Sequence, residues 1–285
     1  MLKEKDFHLE DPTWCSGCGI YGIFSALKKT AVTLEMKPEE TVVVTGIGCH
    51  GRLNNYFRAY GFHTLHGRTL PLAQGIKLVN RRLSVIIVSG DGDAFSIGLG
   101  HFIHALRRNV NLTFIVVNNM IFGLTQGQTS PTSPKGFVSK STPFGSKESP
   151  VCGPHLALVS GGTYIARGFS GAPKQLARLF EMGIQHTGFS LIEVFSPCVT
   201  HNLANTYDWF RKNTFDVDLE QGYDSRSREK AWEIMNSKKK LALGLLYREN
   251  RPSYEELVLP DKAQLAQNPR PIDQKQWDKI LEKFQ

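Results

Sequence analysis

The stretch Ser84-Val85-Ile86-Ile87-Val88-Ser89-Gly90-Asp91-Gly92-Asp93 decides the fold. It opens as an apolar, β-branched run of strand length, and Gly90-Asp91-Gly92-Asp93 turns the chain where the run ends. Phe95 to Arg108 then reads as a helix with arginines near its C-terminus, and Leu112 to Val117 as a second strand closing at Asn118-Asn119. Strand, turn, helix and strand at this spacing form a βαβ unit, whose strands lie parallel in a buried sheet.

Working outward, Thr41 to Thr45 is another strand. It runs into the glycine-rich loop Gly46-Ile47-Gly48-Cys49-His50-Gly51-Arg52. Residues 71–80 look helical, with Pro71 in the first turn. Trp14-Cys15-Ser16-Gly17-Cys18-Gly19 leads into an amphipathic helix from Ile20 to Leu34. Residues 126–153, rich in Ser, Thr, Pro, Gly and Lys, are expected to form a long surface loop of the kind that is often functional. Helices are expected over 155–159 and 173–186, and a strand over Phe189 to Phe195 that ends at Ser196-Pro197-Cys198. Beyond Thr200 the chain turns polar, with a helix near 226–237, a short strand near 241–247 and a final helix from about 272. No repeat or clean linker interrupts it. The expectation is an α/β fold with a mostly parallel sheet flanked by helices. Residues 1–200 form the cofactor-binding domain, and 201–285 a C-terminal extension packed on the same domain.

Composition excludes several classes. The chain has 285 residues, a hydrophobic fraction of 41% and a formal net charge of +8, which is ordinary for a globular protein with ample core. No apolar stretch approaches the roughly 18 residues of a membrane span. The mixed-charge start Met1-Leu2-Lys3-Glu4-Lys5-Asp6 lacks the apolar core of a secretory signal, which points to the cytoplasm and reduced cysteines. The positive charge lies in doublets such as Arg107-Arg108 and one triplet, Lys238-Lys239-Lys240. With no basic tail and no basic region interleaved with aromatics, nucleic acid is not an expected partner. An acidic protein or a phosphorylated ligand is the charged partner that such a surface suits.

The chemistry gathers at strand ends. Gly90-Asp91-Gly92 is followed after 25 residues by Asn118-Asn119, so both motifs fall at the carboxyl edge of a parallel sheet. Asp91 and Asn119 can offer two hard oxygens to one Mg²⁺, which commonly shares its octahedral shell with ligand phosphates. A backbone carbonyl just past Asn119 can supply a third. Gly92 lets the backbone approach a diphosphate at the start of the following helix. Either motif alone is an ordinary turn; together they closely resemble the thiamine-diphosphate signature.

Cys15-x-x-Cys18 precedes a helix, Cys49 sits in the glycine loop, Cys152 in the long loop and Cys198 after the last strand. Four of the five suffice for a [4Fe–4S] cluster or for structural zinc, and plain thiols are a third reading. Cys49 favours the redox cluster, because its loop faces the sheet edge that carries Asp91. Spacing leaves Cys152 and Cys198 both open as fourth ligand.

These residues resemble the β subunit of the 2-oxoacid:ferredoxin oxidoreductases, most closely the 2-oxoglutarate type. The matching segments are Trp14 to Gly19, Gly46 to Cys49, Tyr60 to Arg68, Gly90 to Asp93, Gly123 to Gln128 with Ser130-Pro131-Thr132, Ala166 to Phe169 and Ser196 to Cys198. The match runs from about residue 10 to 210, and more loosely to about 256. The resemblance implies a thiamine-diphosphate domain working as a heterodimer with a separate α subunit, which supplies the activating glutamate, so that this chain alone is inactive. It implies Cys15, Cys18, Cys49 and Cys198 as [4Fe–4S] ligands, leaving Cys152 free. It implies Asp91, Asn119 and the Ile121 carbonyl as Mg²⁺ ligands, and Ile47, Gly48, Cys49, His50, Gly92, Asp93, Gly123 and Leu124 as cofactor contacts. The implied reaction is coenzyme A-dependent oxidative decarboxylation of a 2-oxoacid, with electrons passing to ferredoxin and the reverse carboxylation open to the same site. Where many relatives carry Lys, this chain has Gln126.

His50, His66 and Arg68 lie on loops near the expected site, where they can steer a substrate carboxylate or a proton. His63, His101 and His104 are expected in packing or surface roles. Rival readings are a pyruvate or broad-specificity member, a non-redox thiamine-diphosphate decarboxylase or synthase with structural zinc, and an iron–sulfur electron-transfer module.

Overall fold

Val43 of strand β1 (Thr41–Thr45) enters one hydrophobic core, while Val42 and Val44 enter another on the opposite face of the sheet. Both faces being covered, the strand reads as an unbroken apolar run instead of an alternating one. The computed structural model describes residues 2–236, 240–258, 266 and 273–284. Among them the further strands are β2 (Tyr60–His63), β3 (Ser84–Gly90), β4 (Leu112–Asn118), β5 (Ile121–Phe122), β6 (Gln128–Thr129), β7 (Tyr164–Phe169), β8 (Phe189–Phe195), β9 (Thr214–Asp216) and β10 (Leu241–Arg248). The helices are α1 (Ile20–Thr33), α2 (Leu53–Tyr56), α3 (Thr69–Val79), α4 (Asp91–Phe95), α5 (Leu99–Arg108), α6 (Gly153–Val159), α7 (Pro173–Gln185), α8 (Tyr207–Asn213), α9 (Arg228–Asn236), α10 (Tyr254–Val258) and α11 (Gln274–Leu281).

Eight strands form one sheet in the order β2-β1-β3-β4-β8-β7-β10-β9. Every neighbouring pair is parallel except β7 and β10. Helices α1 and α7 bury Ile23, Phe24, Leu27, Leu176, Leu179 and Phe180 against one face. Helices α3 and α5 bury Leu70, Ala73, Phe102 and Leu106 against the other. This is the mostly parallel, helix-flanked α/β fold that the sequence implies. The register Thr45↔Val88, Gly90↔Val117 and Asn118↔Phe195 brings the carboxyl ends of β1, β3, β4 and β8 to one edge. The region after Thr200 adds β9 and β10 to this sheet.

Three local expectations need correcting. The helix expected over Phe95 to Arg108 begins only at Leu99, as α5. The turn expected at Gly90 to Asp93 is the entry to α4, and Ser96–Gly98 separates it from α5. Gly98 lies against the carbonyls of Asp93 and Ala94, where a Cβ would sit 2.6 Å and 2.9 Å away, so the chain kinks there. The 126–153 segment is not confined to the surface: it carries β6 and buries Ser130, Thr132 and Ser133. Strands β2 and β7 were not expected as such. Tyr60 to His63 is short and exposed, and Arg167 interrupts the apolar character of β7. Lys238, Lys239 and position 272, where the final helix was expected to begin, lie outside the described residues. Among the described residues no helix is long and apolar enough to cross a membrane.

Candidate functional site

Asp91 follows β3 and is buried. Its Oδ2 accepts from the hydroxyls of Ser130 and, at 2.6 Å, Thr132. The backbone amides of Asp91 and Asn119 also face the carboxylate. Burial outweighs these donors and pushes its pKa up to about 6. A bound cation would offset that burial cost. Asn119 follows β4, and its Oδ1 accepts the Ile121 amide at 3.0 Å. Met120 between them takes a left-handed backbone, φ 61°, which folds the segment tightly back into β5. Asn202 donates to the Asn119 carbonyl at 2.9 Å. Asp91, Asn119 and Ile121 thus line one cleft, and their oxygen chemistry suits Mg²⁺.

Asp93 does different work. Its carboxylate accepts from Ser89 Oγ at 2.6 Å, the Gly67 amide at 2.8 Å and the Ile47 amide at 3.3 Å, and His66 Nδ1 lies 2.9 Å away. A Cβ on Gly46 would fall 1.9 Å from it. Asp93 therefore fastens two loops to the end of β3. His50 is buried between Gly48 and Gly90, where a Cβ on either would meet its ring at 2.6 Å and 2.8 Å. Its Nε2 accepts the Gly90 amide at 3.0 Å. Burial lowers its pKa to about 4, against the pull of Asp93, so it is neutral at physiological pH.

Ile47, Gly48, Cys49, His50, Gly92, Gly123 and Leu124 line this cleft together with His66. Gly92 has Phe122 against it, 2.2 Å from where a Cβ would stand. Arg68 is exposed and is not among the residues lining the cleft; its Nη1 donates to the Gly67 carbonyl at 3.4 Å, and its charge acts on His101. Gln126 is exposed, in a left-handed turn with φ 79°.

Next to the cleft is a cavity of about 450 Å³ lined by Cys15, Cys18, Cys49 and Cys198. A Cβ on Gly123 would lie 3.7 Å from the Cys198 sulfur and 4.0 Å from that of Cys49. Trp14 Nε1 donates to the Cys49 carbonyl at 2.7 Å, which ties the segment bearing Cys15 and Cys18 to the glycine loop. Burial, then the other thiols, push the Cys49 thiol up; Cys18, buried and crowded in the same way, reaches about 11 despite a backbone hydrogen bond. Without compensating charge these thiols stay protonated, and cationic iron would supply that charge. Among the described residues no three His, Cys, Asp or Glu side chains close on a single ion. Four thiols lining one cavity are a donor set that either a [4Fe–4S] cluster or a zinc ion can take. Cys152 is not among the residues lining the cavity. His63 is exposed at the rim of the cavity.

Sequence reasoning assigned no role to several residues that support the site. Ser130 and Thr132 hold Asp91, Asn118 bridges to Glu193 at 3.0 Å, and Asn202 holds the Asn119 carbonyl. The Ser130-Pro131-Thr132 segment was the available signal for the first two.

The fold and cleft are those of a thiamine-diphosphate enzyme, and residues 46–194 match the thiamine pyrophosphate enzyme C-terminal TPP-binding domain family. Residues 198–261 match the C-terminal family of the pyruvate ferredoxin oxidoreductase beta subunit. The chain belongs to the 2-oxoacid:ferredoxin oxidoreductase β subunits. It is 39% identical over 285 residues to the 2-oxoacid:ferredoxin oxidoreductase subunit beta of Sulfolobus sp., covering 95% of this chain and 91% of that one. It is 44% identical over 195 residues to the 2-oxoglutarate synthase subunit KorB of Archaeoglobus fulgidus, covering 68% and 73%. The solved 2-oxoglutarate:ferredoxin oxidoreductase from Magnetococcus marinus, with 2-oxoglutarate, coenzyme A and succinyl-CoA bound, aligns with a TM-score of 0.89 at 34% identity over 100% of this chain and 96% of that one.

Proposed function

We propose that this chain, with an α subunit, carries out coenzyme A-dependent oxidative decarboxylation of 2-oxoglutarate to succinyl-CoA and CO₂. In this reading electrons leave through a [4Fe–4S] cluster held by Cys15, Cys18, Cys49 and Cys198 to ferredoxin, and the reaction is reversible. The observation that carries it is a shared wall: Ile47, Gly48, Cys49, Asn119, Gly123 and Leu124 line both the Asp91 cleft and the thiol cavity. A redox centre beside an organic cofactor explains that adjacency, and a structural zinc does not.

Bound thiamine diphosphate would supply the electron sink for decarboxylation. Asp91, Asn119 and the Ile121 carbonyl would hold its Mg²⁺, and Gly92 would admit the diphosphate. Neutral His50 accepts the Gly90 amide and so positions the loop. His66, half-buried at the cleft and paired with Asp93, is the residue assigned to steer the substrate carboxylate or a proton. Arg68, on the loop that bears Gly67, is assigned the same steering role. The net charge of +8 suits docking of an acidic ferredoxin. The cytoplasm is the assigned compartment.

The 2-oxoglutarate assignment rests on the relatives named for it and on the aligned structure. The name of the family matched by residues 198–261 favours pyruvate as the second reading. Electron paramagnetic resonance on the anaerobically co-purified αβ complex, after adding coenzyme A with either 2-oxoacid, separates them. A reduced-cluster signal that needs 2-oxoglutarate supports the proposal. A signal that needs pyruvate transfers it to the second reading, and zinc in place of iron defeats both.

A further inference from the structure

Cys152 is half-buried in a charged cluster outside the thiol cavity. His155 Nδ1 lies 2.7 Å from its sulfur, and Arg167 Nη2 donates to it at 3.3 Å. Arg167 is 4% exposed, and its Nε donates to Glu193 Oε2 at 2.7 Å. The buried guanidinium therefore serves two anionic acceptors at once. The Arg167–Glu193 pair balances itself, so passing the Cys152 proton to His155 leaves the cluster neutral with a thiolate beside the guanidinium. Burial alone would push this thiol up, but Arg167 and the His155 hydrogen bond outweigh it and hold the thiol below the ordinary range. The bond to Cys152 raises His155 in turn. Cys18 and Cys49 are shifted the opposite way.

The cluster also connects to Asp91. Glu193 Oε1 accepts from Asn118 Nδ2 at 3.0 Å, and Asn118 Oδ1 lies 3.0 Å from the Thr132 hydroxyl. That hydroxyl lies 2.6 Å from Asp91 Oδ2, so its one proton is shared between two acceptors.

We propose that Cys152 is a modification site, a thiolate held by Arg167 and His155 that hydroperoxides oxidise, and that its oxidation loosens the Asp91 cradle through Glu193, Asn118 and Thr132. The sulfur attacks the terminal oxygen of the hydroperoxide; an S–O bond forms as the O–O bond breaks. Sulfur loses two electrons to become sulfenic acid, and the departing alkoxide or hydroxide takes the proton of the His155 imidazolium. The neutral sulfenic acid no longer carries the thiolate's charge, so Arg167 loses one of the two anionic acceptors it serves. Only the coupling to Asp91 rests on the proposed cofactor function.

The test uses the anaerobic αβ complex. Iodoacetamide labelling is followed by peptide mass spectrometry across pH, with Arg167, His155 and Glu193 as the charged groups facing the sulfur. Cys152 is expected to react about tenfold faster at pH 6.5 than an ordinary free thiol. His155→Asn is expected to remove that advantage. Hydrogen peroxide followed by dimedone should mark Cys152, and the Mg²⁺-dependent Kd for thiamine diphosphate should rise about tenfold. Peroxide-treated Cys152→Ser should bind like the untreated complex. Labelling of Cys152 only after denaturation, or at an ordinary thiol's rate, overturns the modification site. Rapid labelling with an unchanged Kd overturns the coupling. If the untreated complex binds no thiamine diphosphate, the cofactor reading fails while the labelling rates still decide the thiol.

Discussion

The Gly90 amide donates to Nε2 of the buried His50 at 3.0 Å, which leaves the imidazole proton on Nδ1. This bond joins the loop after β1 to the end of β3. His50→Ala would leave the amide unpaired and a void between Gly48 and Gly90. A loss of about 2–3 kcal/mol is expected, read as a lowered melting temperature of the αβ complex. His50→Gln retains an acceptor and should recover part of it.

Asp91→Asn should weaken Mg²⁺-dependent thiamine diphosphate binding by roughly 100-fold. It should leave the cofactor-free protein as stable as before or more so, because a buried carboxylate is replaced by a neutral amide. Calorimetric titration with and without Mg²⁺, beside thermal melts, reads both quantities. Unchanged affinity would remove Asp91 from the metal site.

Thr132→Val keeps the shape and deletes the hydroxyl shared by Asp91 and Asn118. We expect about 1–2 kcal/mol less stability and about tenfold weaker cofactor binding. A variant with normal affinity would show that Ser130 alone suffices to hold Asp91.

Serine at Cys15, Cys18, Cys49 or Cys198 should reduce the iron bound by the anaerobically purified complex and abolish the cluster's paramagnetic signal. Cys152→Ser should retain both, since Cys152 is not among the cavity-lining residues. Full iron content in Cys198→Ser would remove that residue from the ligand set.

His186 hydrogen-bonds Thr163 at 2.9 Å, and burial, with Arg248 adding to it, lowers its pKa to about 4. In the unfolded chain it titrates near 6.5. Between these values the unfolded chain binds more protons than the native one, so stability rises with pH across the window and is lost as pH falls toward 4. The denaturation midpoint of the complex should fall between pH 7 and pH 4.5, and His186→Gln should fall less. An equal fall in both would assign the acid sensitivity elsewhere.

What could be read in advance follows from how local each signal is. Asp91 and Asn119 stand beside strands that are apolar on both faces, so their place at the carboxyl edge follows from the βαβ pattern. The grouping of four cysteines rested on the family resemblance, because only the strand register brings loops so distant in the chain to one edge. Ser130 and Thr132 were not given their role: serine and threonine in a polar segment are ordinary turn formers, and their partner Asp91 is far away in sequence. Strand β7 was obscured by Arg167, a charge paired with Glu193 from the neighbouring strand. The break between α4 and α5 depends on Gly98 lying against carbonyls, a contact absent from any local pattern.

The order of the thiols along the chain has a consequence for biosynthesis. Cys15, Cys18 and Cys49 leave the ribosome early, but Cys198 follows β8, which must pair with β4 before its thiol reaches the cavity. A nascent chain therefore cannot close the ring of thiols. Under the proposed ligand set, iron loading would wait until most of the polypeptide has been made and the sheet has formed, and the loading machinery would meet a folded acceptor.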